Sequence, residues 1–391
     1  MKIVITASTL DLKYRLGCTP SWWQLFKALY EIGNEVIVIP YLGNSIASVW
    51  WRTYDNPCSR ESIAYNAYLE RRKRRGISPS KPSRLSPLFK WLIKHEIRSK
   101  IQRNLLAILN KEEAVDCLLL VNIPLNHVAW LPLRIKQDTG IPVVYYDGDL
   151  PTSLPKNAVS RGFKFSYYDG ADLSEYDAFL TNSEGCIPDL EALGAKNIHP
   201  FHYAVDPLLC SPVSLEKDVD VSFYGHGSDL REVWMKRMIT RPSREMPSTR
   251  FAVGGDGFGI SLGEANLIGS LSYSEWRNLC CRSCINLNVT RSSHSTVYAS
   301  STARPFELAG FEACTVSQPY DGIENWFEVG KEIVVVNSKE EAVEAYKALL
   351  NDDQKARKIG KNARKRVLKE HTYAHRAKQL IDIIRSVQTS G

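Results

Sequence analysis

The period of apolar and polar positions changes repeatedly along this chain, and the changes mark out its elements. Short, mostly continuous apolar runs occur at KIVITAS (2–8), EVIVIPY (35–41), DCLLLVN (116–122), PVVYYDG (142–148), AFLTNS (178–183) and NIHPFHY (197–203). Runs that do not alternate predict strands buried on both faces, as in a parallel sheet with helices on each side. Between the first two, Thr19-Pro20-Ser21 offers a cap and a first-turn proline, and Gly33 offers a stop, so a helix is expected there. The pattern then restarts at VDVSFYG (219–225), TRFAVGG (249–255), ANLIGSLS (265–272), CINLNVT (284–290), CTVSQP (314–319) and EIVVVN (332–337). Amphipathic helices are expected over 339–350, 353–370 and 373–387.

Two such series predict an α/β protein of two Rossmann-like, doubly wound domains. The first is 1–205, the second 206–372, and 373–391 is a terminal helix placed to pack back on the first. The stretch Ala204 to Val213 holds two prolines without periodicity and reads as the hinge. Ligands of such sheets bind outside the carboxyl ends of the strands, so a cleft between the two domains is the expected site. Segment 57–110 interrupts the first domain as two helices, about 60–75 and 87–110, joined by GISPSKPSRLSP.

Composition narrows the class. The chain has 391 residues, 44% apolar and 24% charged, enough for two globular cores. No apolar run approaches the ~20 residues of a membrane helix. The opening MKIVITAS is too short for a signal peptide, so a cytoplasmic protein is expected, with peripheral membrane contact open. Nine scattered cysteines read as thiols; Cys281 and Cys284 have metal-ligand spacing but lack two further ligands nearby, which favours a plain helix-to-strand junction.

The formal charge of +7 is local. Residues 57–104 hold 13 Lys and Arg against 3 acids, leaving the rest of the chain at −3. Three readings stand: a solvated helical arm, a patch for an anionic membrane or lipid phosphate, or a nucleic-acid surface with Trp50, Trp51, Tyr54, Tyr65, Tyr68 and Trp91 available for stacking.

Candidate chemistry gathers in SSTARPFELAGFEACTVSQ (300–318), a predicted short helix running into a buried strand. A helix start with Ser301, Thr302 and Arg304 suits a diphosphate, and the carboxylate of Glu307 suits ribose hydroxyls. A salt bridge or cap without ligand explains the same residues equally well. Gly225-His226-Gly227 follows a strand, with Arg231 beyond it; this is either a phosphate loop or a plain strand-to-helix turn. Gly254 to Gly259 reads mostly as a connection. Asp147 and Asp149 end a first-domain strand, as general base or as turn residues. Asp11, Arg15, Gly17 and Cys18 lie in the first strand-to-helix loop, and His202 and His226 are further candidates, each alone more often structural.

Residues 219–385 resemble the donor-binding domain of GT-B glycosyltransferases, in the family-4-like branch that includes the CgeB type. The resemblance rests on R-x-F-E-x-A-x-F-E-A (Arg304 to Ala313), DGIENWF (321–327), VGKE (329–332) and KEHTYAHRAKQL near the end. It implies transfer of a sugar from a nucleotide-sugar, UDP- or GDP-linked, to an acceptor hydroxyl, by a hexosyltransferase-type enzyme with no obligate metal or other cofactor. The acceptor is a glycan, lipid-linked, protein or nucleic-acid hydroxyl held by the first domain. The resemblance also implies Arg231 and Arg304 on the diphosphate, Glu307 on the ribose, and Arg15, Asp147 or Asp149 on the acceptor side. One departure stands out: the first of two glutamates usual in that pattern falls at Ala299. Alternatives are a GT-B-fold sugar-nucleotide epimerase, and a non-catalytic nucleotide- or glycan-binding protein with a basic arm.

Overall fold

A computed structural model describes residues 1–10, 21–75, 85–157, 167–227 and 230–389. The chain divides into two compact units. One runs through Phe201 and includes the last helix from Ala377; the other comprises His202–Arg376 with the start of the first helix up to Gln24. The Ala204 to Val213 stretch belongs to the second unit, with Val205 and Cys210 buried and Val205 bridged to Thr372.

The first unit holds a seven-stranded sheet: β1 (Lys2–Thr9), β2 (Glu35–Leu42), β3 (Arg52–Thr53), β4 (Cys117–Val121), β5 (Val143–Asp147), β6 (Ala178–Thr181) and β7 (Ile198–Pro200). Its order is β3-β2-β1-β4-β5-β6-β7, and every pairing is parallel. Strands β4, β5 and β6 are buried at every position, as continuous apolar runs require. Strand β3, two residues at the edge, is too short to leave a sequence signature. The basic insertion is a helix over Ser59–Arg74 and a second helical run from Ser86 to Lys111, interrupted by a wide turn at Ile93–Ile97. The two meet where Tyr65 and Tyr68 lie 6.0 and 5.3 Å from the Phe89 ring.

The second unit holds six parallel strands: β8 (Val219–His226), β9 (Phe251–Asp256), β10 (Asn266–Gly269), β11 (Ser283–Asn288), β12 (Thr315–Ser317) and β13 (Val334–Val335), ordered β10-β9-β8-β11-β12-β13. Alternation along β8 divides the core. Val221 and Phe223 join a cluster with Met235, Met238, Ile239 and Tyr346. Tyr224, one position on, joins another with Trp276, Phe306 and Trp326. Both faces are therefore covered. The architecture is the pair of doubly wound sheets expected, with all twelve predicted strands present.

Candidate functional site

In the second sheet the chain builds outward from β8 through β9 to β10, then returns to its other side at β11. That reversal makes the carboxyl ends of β8 and β11 the switch point of the sheet. Arg231 spans it. Its Nε donates to the Val289 carbonyl (3.1 Å) just past β11, and its Nη1 to the His226 carbonyl (2.7 Å) that ends β8. Burial, then the charges of Arg291 and Arg304, push its pKa down to about 10.

Arg304 arrives from the helix Ala303–Gly310. Thr302 caps that helix with extended backbone, its hydroxyl makes no capping bond, and no acid lies in the first turn. A cation at the second position of a helix opposes the dipole, so its placement needs a compensating anion or a packing reason. The packing reason is partial: the guanidinium lies 4.2 Å from the Trp276 ring centroid and 5.6 Å from that of Tyr224. Its Nη1 is buried and has no hydrogen-bond partner among the described residues. Stacking fixes the plane of the fork and leaves a donor for an incoming oxygen.

Arg291 opens the turn Ser292–Ser295 after β11. Its Nη2 contacts His294 Nε2 at 2.8 Å. A guanidinium only donates, so Nε2 accepts and the imidazole proton sits on Nδ1, which faces Ser300 Oγ at 3.3 Å. His294 is buried, and burial, then the charges of Arg291 and Arg231, push its pKa down to about 3. It is neutral and orients Arg291.

Glu307 lies in the second turn of its helix, 5% exposed, with no hydrogen bond to its carboxylate among the described residues. Burial raises its pKa, and Arg304 opposes the rise. None of Arg231, Arg291 and Arg304 is ion-paired to an acid among the described residues. Arg231 thus lies within electrostatic reach of Arg291 and Arg304, and Glu307 within reach of Arg304. Guanidinium groups so gathered suit a dense anion.

The other predicted residues fall as follows. Ser301 is buried and its Oγ accepts from Tyr203 N–H (3.1 Å). Gly225, His226 and Gly227 pack against the Gly254-to-Gly259 loop: a Cβ on Gly227 would lie 2.5 Å from the Gly257 carbonyl oxygen. His226 Nδ1 bonds Asp256 Oδ1 at 2.5 Å, tying the ends of β8 and β9. Asp147 is 1% exposed. Its Oδ2 accepts from Ser153 and Tyr168 hydroxyls, both 2.6 Å, and its Oδ1 from Asp149 N–H, 2.9 Å. Burial raises its pKa to about 6. With every acceptor engaged it orders its own loop, whereas Asp149 is half-buried and its carboxylate has no partner among the described residues. The His202 ring lies against Trp326, 5.4 Å between centroids. Asp11, Arg15, Gly17, Cys18, Ser228 and Asp229 lie outside the described residues. Ala299 is fully buried at φ 45°, wedged against Gly322. Arg291, His294 and Trp276 were not singled out from sequence. Their signal was an R-x-x-H at the carboxyl end of β11, a place that only the strand order makes special.

No curated protein matches the chain by sequence. Residues 231–382 match a family model described as glycosyl transferase-like. Among solved structures, sucrose-phosphate synthase from Thermosynechococcus elongatus matches with a TM-score of 0.69 at 13% identity, covering 100% of both chains. A glycosyltransferase from Rickettsia africae ESF-5 matches at TM-score 0.63 and 11% identity, covering 100% of this chain and 99% of that one. Anabaena HepE, in complex with UDP, matches at 0.62 and 13%, covering 99% and 100%. The segment that carries the three arginines is therefore glycosyl transferase-like in sequence, and the chain as a whole has the GT-B fold of these proteins.

Proposed function

We propose that this protein is a glycosyltransferase that moves a sugar from a nucleotide-sugar to an acceptor hydroxyl. The observation that carries the reading is the convergence of Arg231, Arg291 and Arg304, unpaired with acids among the described residues, at the switch point of the second sheet. In this reading the three guanidinium groups hold the donor diphosphate and stabilise it as it leaves, so the countercharge is supplied by the protein. Glu307 accepts the ribose hydroxyls. UDP is the favoured base, because a structure of like fold binds UDP and another state of it binds UDP-glucose. Asp149, just past β5 and with no partner to its carboxylate among the described residues, is a better acceptor-side base than Asp147, whose acceptors are engaged. Arg15 stays a proposal for the same side. The CgeB-type branch and a hexosyltransferase reaction are proposals of the same reading, as is an acceptor that is a glycan, lipid-linked, protein or nucleic-acid hydroxyl.

A second reading, a non-catalytic nucleotide binder, draws on Ala299. A buried alanine, packed against Gly322, stands where the related pattern has a carboxylate. One experiment addresses both. Thermal unfolding is followed with UDP, GDP, ADP, CMP and dTDP, with and without Mg²⁺, and hydrolysis of the matching nucleotide-sugar is then assayed. A ligand at a hundred times its Kd stabilises by ~2.7 kcal/mol. A selective shift with turnover supports the transferase, a shift without turnover supports the binder, and no shift removes the donor site.

A further inference from the structure

We infer that the helical insertion of the first unit is a docking surface for an anionic lipid bilayer. Its described residues expose Arg60, Arg71, Arg74, Arg75, Lys90, Lys94 and Arg103. Of the three acids in the segment, Glu61 is paired with Lys100. This positive field is not the whole feature. On the helix Ser86–Leu92, Leu88 and Trp91 stand 50% and 53% exposed, three residues apart and so on one face, with Leu85 43% exposed just before it. Phe89 turns the other way, onto Tyr65 and Tyr68. Lys90 and Lys94, both exposed, precede and follow Trp91 in the sequence. An exposed tryptophan and leucine beside lysines is the composition of a helix that lies in the headgroup region, its apolar side chains below and its ammonium groups level with lipid phosphates.

The same residues argue against a nucleic-acid partner. Bases stack on successive open aromatic faces, and here Trp51 is 4% exposed, Tyr65 and Tyr68 are held against Phe89, Trp50 lies under Lys27 and Tyr54 under Lys111, which leaves Trp91, set against His95, as a single exposed ring rather than a stacking platform. Leu85 and Leu88 offer nothing to a phosphate or a base. A merely solvated arm needs the charges but has no use for three exposed apolar side chains in seven residues. Charge complementarity and the apolar stripe together select a lipid surface.

The test is co-flotation of the full chain with vesicles of phosphatidylcholine alone and of phosphatidylcholine with 30% phosphatidylglycerol (about one anionic lipid in three, enough for a strong surface field). Binding at least tenfold tighter to the anionic vesicles, weakened in high salt, is expected. Lys90→Glu with Lys94→Glu should abolish that preference. Leu88→Ser with Trp91→Ser, which leaves the charge untouched, should weaken binding severalfold. All four positions are exposed, so thermal unfolding of both variants should match wild type. Glu307→Ala should bind vesicles as wild type does, which keeps this result separate from the donor site. Equal affinity for both vesicles would overturn the inference. So would wild-type binding by the Leu88/Trp91 variant, or tight binding of single-stranded RNA without binding of either vesicle.

Discussion

Arg304 shows how much one side chain is asked to do. Its stem starts at a helix end that repels it, its fork is stacked on Trp276, and one nitrogen has no partner among the described residues. Arg304→Lys keeps the charge but loses the stack and the fork. Nucleotide affinity, read by calorimetry, should fall about tenfold or more for Lys and further for Ala, since charge-assisted bonds contribute roughly 1.5–3 kcal/mol. Glu307→Gln keeps the shape of a buried group while removing a charge whose burial is unfavourable. It should not lower thermal stability, yet should weaken binding of a ribose nucleotide relative to its deoxyribose analogue in wild type. Asp147 makes a prediction in pH. Its folded pKa is raised to about 6 by burial from an ordinary value of 3.8. The folded state therefore holds its proton longer than the unfolded chain, and the contribution of the group to stability is present below pH ~4 and declines as pH rises through 6. The stability difference between wild type and Asp147→Asn should shrink by up to about 3 kcal/mol across that window. A difference independent of pH would show that burial does not raise the Asp147 pKa above its unfolded value.

At the scale of elements, the glycine loops of the second unit are backbone packed on backbone. Gly255 has φ +119°, and a Cβ there would sit 1.8 Å from the Gly225 carbonyl oxygen. Gly255→Ala should cost at least 2–3 kcal/mol and pull the ends of β8 and β9 apart, with nucleotide binding lost alongside. The check is chemical denaturation beside ligand titration; loss of binding with full stability would mean that the loop itself touches the ligand. The helix Tyr273–Arg282 carries Trp276 and starts with a capping box between Ser272 and Glu275. Ser272→Ala should cost about 1 kcal/mol. These elements were readable because their signals are local. The glycine pairs and the serine-to-glutamate spacing are in the sequence. What they pack against is not, so Gly225 and Gly227 look alike as phosphate-loop and as turn residues until the second loop is seen.

At the scale of the whole molecule, the last helix, Tyr373–Thr389, is a long-range element. Leu380, Ile381, Ile383 and Ile384 are buried, Gln379 donates to the Pro200 carbonyl, and Gln388 donates to that of Asp116. A chain ending at residue 376 would expose a face of the first unit. Four buried aliphatic side chains at roughly 1.5–3 kcal/mol each are comparable to the whole stability reserve of an ordinary domain. Such a truncation should yield a chain whose first unit is unfolded or aggregated; a soluble truncate with its full unfolding transition would contradict this.

The sequence by itself determined the two α/β series, their parallel strands and the basic insertion, because burial on both faces and helical periodicity are written in consecutive residues. It also marked Arg231, Arg304 and Glu307, through their place beside predicted strands and helices. It did not determine that Arg291 and His294 join them, that Asp147 has every acceptor engaged while Asp149 does not, or that Leu88 and Trp91 face outward. Those facts depend on strand order, which puts β8 beside β11 across the 56 residues between His226 and Ser283. They depend equally on which face of a helix finds a neighbour. Local chemistry sets the elements, whereas only the closing of the chain on itself decides which charges meet and which apolar faces stay open.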